Sequence, residues 1–201
     1  MTHEADAQQL SAIRQGDRTQ LADLLRQHQG RLYSLCLRIL ANPEDAADAT
    51  QNAMVRIIQN LEQFEGRSRL STWMSRIAIN EGLSLLRRRK ARPALRLTHH
   101  DDHNNPLALA DSREPEPSRR IEEQERSREI ALALEELEEH FRVVLVLRDI
   151  QAMSYEQIAE TTGLAIGTVK SRLFRGRLAL RQILDDREAT PRRQNPEGSR
   201  G

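Results

Sequence analysis

Residues 154–184, S-Y-E-Q-I-A-E-T-T-G-L-A-I-G-T-V-K-S-R-L-F-R-G-R-L-A-L-R-Q-I-L, constrain the fold more tightly than any other stretch. Ser154 followed by Gln157 has the spacing of a capping box, which starts a helix by satisfying its free N–H groups. Gly163 supplies the left-handed residue that ends that helix. Leu164, Ala165 and Ile166 make a turn, and a second helix then runs without a breaker to the Asp185-Asp186 pair. Ala159 is small enough for a close crossing, Gly163 turns the chain and Val169 plugs the interface. A small residue, a glycine and an apolar residue at that spacing form the helix-turn-helix signature, whose second helix lies in the DNA major groove.

At about 100° per residue, Ile166, Val169, Leu173, Leu180 and Leu184 fall on one side of the second helix and are expected to pack inward. Ser171, Phe174 and Arg175 lie opposite, flanked by Lys170, Arg172 and Arg177, and no acid occurs between Gly167 and Leu184. Guanidinium groups suit guanine edges and phosphates, and an outward aromatic suits thymine methyls. The alternative is a solvated basic helix in an ordinary bundle.

Bulk charge does not point to nucleic acid, because the formal net charge is +1 over 201 residues. Its distribution does. Residues 67–97 carry nine Arg or Lys against one acid, Glu81, whereas residues 98–141 carry thirteen acids against five Arg. Two basic blocks around an acidic middle suggest two contacts with a polyanion. The single cysteine, Cys36, excludes a disulfide framework and a cysteine zinc cluster. The N-terminus is too polar for a signal peptide, and no apolar run is long enough to insert in a membrane, so a cytoplasmic protein is expected. Strand signals are nearly absent. The one tight apolar run, residues 143–147, sits within helical spacing, so the expected fold is all-α.

Residues 8–40 read as helix, turn, helix, punctuated by Gly16-Asp17 and by Gly30. Asn42-Pro43-Glu44-Asp45 then opens a helix, with Asn as cap, Pro at the first position and acids in the first turn. Asp45, Asp48 and Gln51 on that helix are either a solvated face or a docking surface for a basic partner. After a loop at residues 64–68, Ser71 or Thr72 is expected to cap a helix reaching Lys90. Met74, Ala78, Gly82, Leu85 and Leu86 share its inner side, and Trp73, Arg76, Asn80, Ser84 and Arg87 the other. Arginine for phosphates, an indole for stacking and an amide for a base edge fit single-stranded or unwound nucleic acid. Trp73 could equally anchor the core, and the run Arg87-Arg88-Arg89-Lys90 could be a solubilising tail.

Residues 91–117 lose periodicity and gather proline, and read as a flexible linker. His99, His100, Asp101, Asp102 and His103 could in principle take a divalent metal, but no regular element there would fix the geometry, and no metal site is assigned. Helix resumes near Ser118, and Leu132, Leu137, Phe141, Val144 and Leu145 supply a second core. Residues 185–201 read as a disordered tail.

Taken together, these motifs resemble the extracytoplasmic-function, or group 4, sigma factors of the bacterial sigma-70 family. Residues 154–177 match the family's S-Y-E-x-I-A…G…G-T-V-K-S-R-L-x-R-x-R almost letter for letter. The pattern D-A-x-D-x-x-Q appears as Asp45, Ala46, Asp48 and Gln51, with Met54 where phenylalanine is usual. The pattern F-x-G…T-W-L-x-R-I-A-x-N appears as Phe64, Gly66, Thr72, Trp73, Met74, Arg76, Ile77, Ala78 and Asn80, after which Glu81, Gly82 and Ser84 depart from it.

The resemblance implies domain 2 at residues 8–90, a linker at 91–117 and domain 4 at 118–184. Domain 2 would dock on core RNA polymerase through Asp45, Asp48, Gln51 and Met54. Phe64, Arg67, Trp73, Arg76, Asn80 and Arg87 would take a base flipped from the single-stranded minus-10 element, unstacking being repaid by a pocket for the base. Thr168, Lys170, Ser171, Arg172, Phe174, Arg175 and Arg177 would face the double-stranded minus-35 element. An anti-sigma factor is a further expected partner. Neither catalytic residues nor a cofactor are expected on the chain. A free-standing helix-turn-helix repressor or activator is the alternative, but it would leave the strip at Arg76 and Asn80 unexplained, and no dimer helix stands out. An enzyme would need a nucleophile or clustered ligands on rigid elements.

Overall fold

The computed structural model describes residues 3–91 and 117–189, which form eight α-helices and no strand. The candidate metal cluster at residues 99–103, nearly all of the linker and the end of the tail from residue 190 lie outside the described residues.

The first helices, α1 (His3–Arg14) and α2 (Arg18–Leu40), meet at Gly16-Asp17. There Gly16 has φ +94°, and the Asp17 carboxylate accepts from the N–H groups of Thr19 (2.9 Å) and Gln20 (3.1 Å). Gly30 does not break α2, contrary to expectation; the helix passes through it. A mid-helix glycine costs about 1 kcal/mol relative to alanine. Buried Leu24, Leu32, Leu35 and Ile39 outweigh that, each stabilising by about 1.5–3 kcal/mol. The following helix, α3 (Pro43–Asn60), starts as read: the Asn42 side chain accepts from the Asp45 N–H at 2.9 Å, and Pro43 opens the first turn.

A 3-10 turn (Leu61–Gln63) leads into a loop and then α4 (Leu70–Ala91). This helix begins ahead of the expected caps. The Arg69 carbonyl accepts from Thr72 and Trp73 at 3.0 and 3.1 Å, so Ser71 and Thr72 lie inside the first turn. Burial of Leu70 in the core favours that earlier start. Helices α2, α3 and α4 enclose Leu24, Ile39, Ile57, Met74 and Ile79, all essentially inaccessible to solvent.

The second half opens with α5 (Pro117–Glu136), with proline at its first position, where the missing N–H costs nothing. Helix α6 (Glu139–Leu145) passes straight into a π-helical turn (Val146–Ile150). The apolar run is therefore helical and buried, with Val144, Val146 and Leu147 fully enclosed. Helices α7 (Tyr155–Thr162) and α8 (Ile166–Ala189) complete the half. Helix α8 continues past Asp185-Asp186, where a tail was expected, and an ion pair between Arg187 and Glu136 of α5 ties its last turn down.

Gly176 sets how closely α8 approaches α6. A Cβ there would lie 3.2 Å from the Phe141 Cβ and 3.3 Å from the Leu145 Cδ1, tighter than ordinary contact. The two halves also touch. Buried Arg142 donates to the carbonyls of Leu137 (2.9 Å) and Glu135 (3.2 Å) near the end of α5, and to Ile39 (3.2 Å) near the end of α2. Its guanidinium thus faces two helix C-termini, where cations are favoured. Lys90 reaches Glu139 at 3.0 Å across the same seam.

Candidate nucleic-acid interfaces

The helix-turn-helix is built as its sequence requires. Ser154 accepts from the Gln157 N–H at 3.2 Å while the Gln157 side chain accepts from the Ser154 N–H at 2.9 Å, closing the capping box. Gly163 takes φ +73° and donates to the Ala159 carbonyl at 2.8 Å. Val169 and Ile158 are fully buried between the two helices.

This packing turns one face of α8 to solvent. Lys170, Ser171, Phe174 and Arg175 are exposed, Phe174 at 67%. Thr168 and Arg172 are half-buried at its margin. The chain has three phenylalanines, so leaving one this open wastes burial that a core would use. Leu178, one turn on, is exposed as well. Two expectations need correction. Ile166 is 41% exposed because it begins the helix at the edge of the turn, outside the packed stripe. Arg177 is not a free cation: its guanidinium donates to both Asp149 carboxylate oxygens, at 2.7 and 3.3 Å, which raises its pKa further.

Tyr155, which sequence reading used only for pattern, supports this face. Its ring lies under the Arg148 guanidinium (4.9 Å) and the Lys170 ammonium (5.8 Å). Cation–π attraction of that kind holds Lys170 beside the α8 face without neutralising it.

On α4, Arg76, Asn80 and Arg87 are exposed and Trp73 is half-buried. Trp73 is thus neither a core anchor nor a free ring. Phe64 packs behind it, ring centroids 5.3 Å apart and tilted by 50°, and is itself only 7% exposed. Phe64 therefore backs the indole and does not offer a face of its own. The Arg14 guanidinium holds its carbonyl at 2.6 Å, fixing the loop from α1. Arg67 is exposed but pairs with Glu65 at 2.6 Å. Trp73, Ile77 and Asn80 line a recess of about 280 Å³ with Arg56, Asn60, Gln63 and Glu81. Its lining combines one aromatic ring and one aliphatic side chain with polar and charged groups, and it opens to solvent.

Helix α3 also presents one face. Asp48 and Gln51 are exposed and Met54 is half-buried, while Asp45 is drawn into an ion pair with Arg89. The unexpected members are Val55, 51% exposed, and Ile58, 44% exposed, on the same side. Their helical spacing from Asp48 and Gln51 could have revealed them, but an apolar residue on a helix reads by default as core. No grouping of histidine, cysteine and acids able to hold a metal occurs among the described residues.

Comparison with known proteins places this geometry in a family. Residues 24–92 match the family model described as Sigma-70 region 2, and residues 127–180 match Sigma-70, region 4. The ECF RNA polymerase sigma factor SigW of Bacillus subtilis is 33% identical, over 88% of this chain and 95% of its own. The RNA polymerase sigma-H factor of Pseudomonas aeruginosa is 31% identical, over 92% and 96%. The ECF RNA polymerase sigma factor SigE of Mycolicibacterium smegmatis is 33% identical over 81% of this chain, which spans 60% of that relative's length. With both regions matched in order and relatives covered nearly end to end, the chain belongs to the sigma-70 family, in its extracytoplasmic-function branch. The fold is also that of RpoE of Bartonella quintana, solved with the anti-sigma factor NepR (TM-score 0.55, 24% identity, 82% of this chain and 96% of that one). It is likewise that of CnrH, solved with the cytosolic domain of CnrY (TM-score 0.51, 24% identity, 92% and 97%).

Proposed function

We propose that this sigma factor binds core RNA polymerase through α3, captures an unpaired minus-10 base in the α4 recess and reads the minus-35 duplex with α8. The observation that carries the reading is the pairing of two unlike faces on one chain. A convex, acid-free helix face suits the major groove, which admits a helix. An aromatic-walled recess suits a base that has left the stack. A free-standing repressor needs only the first.

Asp48, Gln51 and Met54, with Val55 and Ile58, form the surface offered to polymerase. Trp73 stacks the extruded base, Asn80 bonds its edge, and Arg76 and Arg87 hold flanking phosphates. Phe64 positions Trp73, and Arg67 guards the loop between α3 and α4. On α8, Arg175, Phe174 and Ser171 meet base edges, while Lys170, Thr168 and Arg172 meet the backbone. Polymerase carries out the chemistry, so the chain acts without a catalytic residue, metal or cofactor of its own. No described helix is long and apolar enough to cross a membrane, and a cytoplasmic place of action follows from the proposed work with polymerase. An anti-sigma factor, as found with RpoE of Bartonella quintana, is the expected silencing partner.

The test is run-off transcription with purified bacterial core polymerase on genomic fragments. Promoter-specific transcripts that require the added chain are expected. A chain that shifts duplex DNA alone yet gives polymerase no specific starts would favour a repressor or activator.

A further inference from the structure

Glu81 is the acid that interrupts the first basic block and departs from the family pattern, and the structure gives it a definite setting. Its side chain is 8% exposed, it borders the α4 recess beside Asn80, and Arg56 of α3 holds it at 2.6 Å (Nε to Oε1). A carboxylate at a surface meant for a polyanion is unfavourable unless it is matched by a cation, as it is here, and has something to accept from. Resting on the minus-10 reading above, we propose that Glu81, clamped by Arg56, decides which base the recess takes: one with an exocyclic amino group (cytosine, adenine or guanine), and not thymine.

The argument is one of fixed polarity. Stacking on Trp73 is tolerant, because every base has a π-face. The free amides of Gln63 and Asn80 can rotate to present either a donor or an acceptor. Asn60 is pinned by its amino group on the Arg56 carbonyl at 2.7 Å. Glu81 can only accept and Arg56 can only donate. Cytosine and adenine each display an amino donor next to a ring-nitrogen acceptor, which matches a carboxylate next to a guanidinium. Guanine offers two adjacent N–H donors to the carboxylate and O6 to the guanidinium. Thymine offers one N–H between two carbonyl oxygens, so a carboxylate that reaches the N–H also meets an oxygen lone pair. A site built around fixed polar groups rejects a base that leaves them unpaired far more sharply than an apolar pocket rejects a misfit.

The test uses holoenzyme, assembled from the full chain and core polymerase, on promoters in which each minus-10 position is changed in turn to all four bases. For the wild type, thymine at one position should lower run-off yield about tenfold relative to the amino-bearing bases, as loss of a good base contact does. Glu81→Gln is nearly isosteric and can donate as well as accept, so it should flatten the preference at that position and leave other positions and core binding unchanged. Thermal melting of the variant checks that it folds. Specific wild-type transcription with no thymine penalty at any position overturns the proposal. So does a Glu81→Gln loss spread evenly over all templates, which is the mark of a purely structural residue. Absence of any specific transcript from the wild type contradicts the minus-10 reading itself, and this proposal with it.

Discussion

The two faces proposed to meet DNA solve opposite problems. The α8 face is convex and open, with Phe174 and Arg175 standing in solvent on a helix held from behind by Val169, Leu173 and Gly176. The α4 face is concave, with Trp73 braced by Phe64 and a buried carboxylate beside it. A duplex presents its base edges in a groove wide enough for a helix, so a reader needs only protruding side chains on a rigid rod. An unstacked base brings its whole Watson–Crick edge and both ring faces, so its reader needs walls. The contrast shows in the aromatic residues: Phe174 stands exposed on α8, whereas Trp73 is half-buried at the α4 recess.

If domain 2 alone holds polymerase, Val55→Asp, which places a charge in the exposed apolar part of α3, should weaken core association about a hundredfold and silence every promoter. The helix-turn-helix should still fold in that variant. Gel filtration with core polymerase and circular dichroism check both halves of that statement. Arg175→Ala should lower run-off from cognate promoters about tenfold, in line with loss of one base contact, with core binding intact. Loss of both together would break the division of labour between the faces. Arg177→Ala should matter less, a few-fold at most, since its guanidinium is already engaged by Asp149; a larger loss than for Arg175→Ala would mean the Asp149 pair opens on DNA.

The smallest effect concerns the domain 2 core. Burial lifts the Cys36 thiol from its ordinary 9.0 to about 11; a hydrogen bond with Thr50 opposes the shift and the Glu81 charge adds to it. A group with a raised folded pKa lends stability that is complete below its unfolded value and lost as pH rises through the folded one. Urea unfolding should therefore show the wild type weakening between about pH 9 and 11 more than Cys36→Ala does. Equal slopes would mean the thiol is not shielded.

Much of this was legible in the sequence where chemistry is local. The capping box at Ser154, the turn at Gly163, the Asn42-Pro43 start and the outward Phe174 all follow from neighbours within one or two turns. What escaped depends on distant partners. Gly30 reads as a breaker, yet α2 runs through it because packing against other helices stabilises it. Phe64 is expected among the residues that take a flipped base, but it packs behind Trp73, and Arg14, fifty residues away in sequence, holds its carbonyl. Arg177 sits on the flank of the helical wheel beside Lys170, and only the fold shows that Asp149 reaches it. The same holds for Glu81, whose partner Arg56 lies on another helix.

The most direct test of the account is to compare Trp73→Ala with Arg175→Ala on two forms of one promoter, fully paired and with the minus-10 region held open by mismatches. Base–aromatic stacking is worth about 1–3 kcal/mol, so Trp73→Ala should cost roughly tenfold or more on the paired template. If the recess acts in opening the duplex, the pre-opened template should return much of that loss. Arg175→Ala should lose the same factor on both forms. Equal deficits for Trp73→Ala on paired and opened templates would contradict the claim that the two faces read single-stranded and double-stranded DNA respectively.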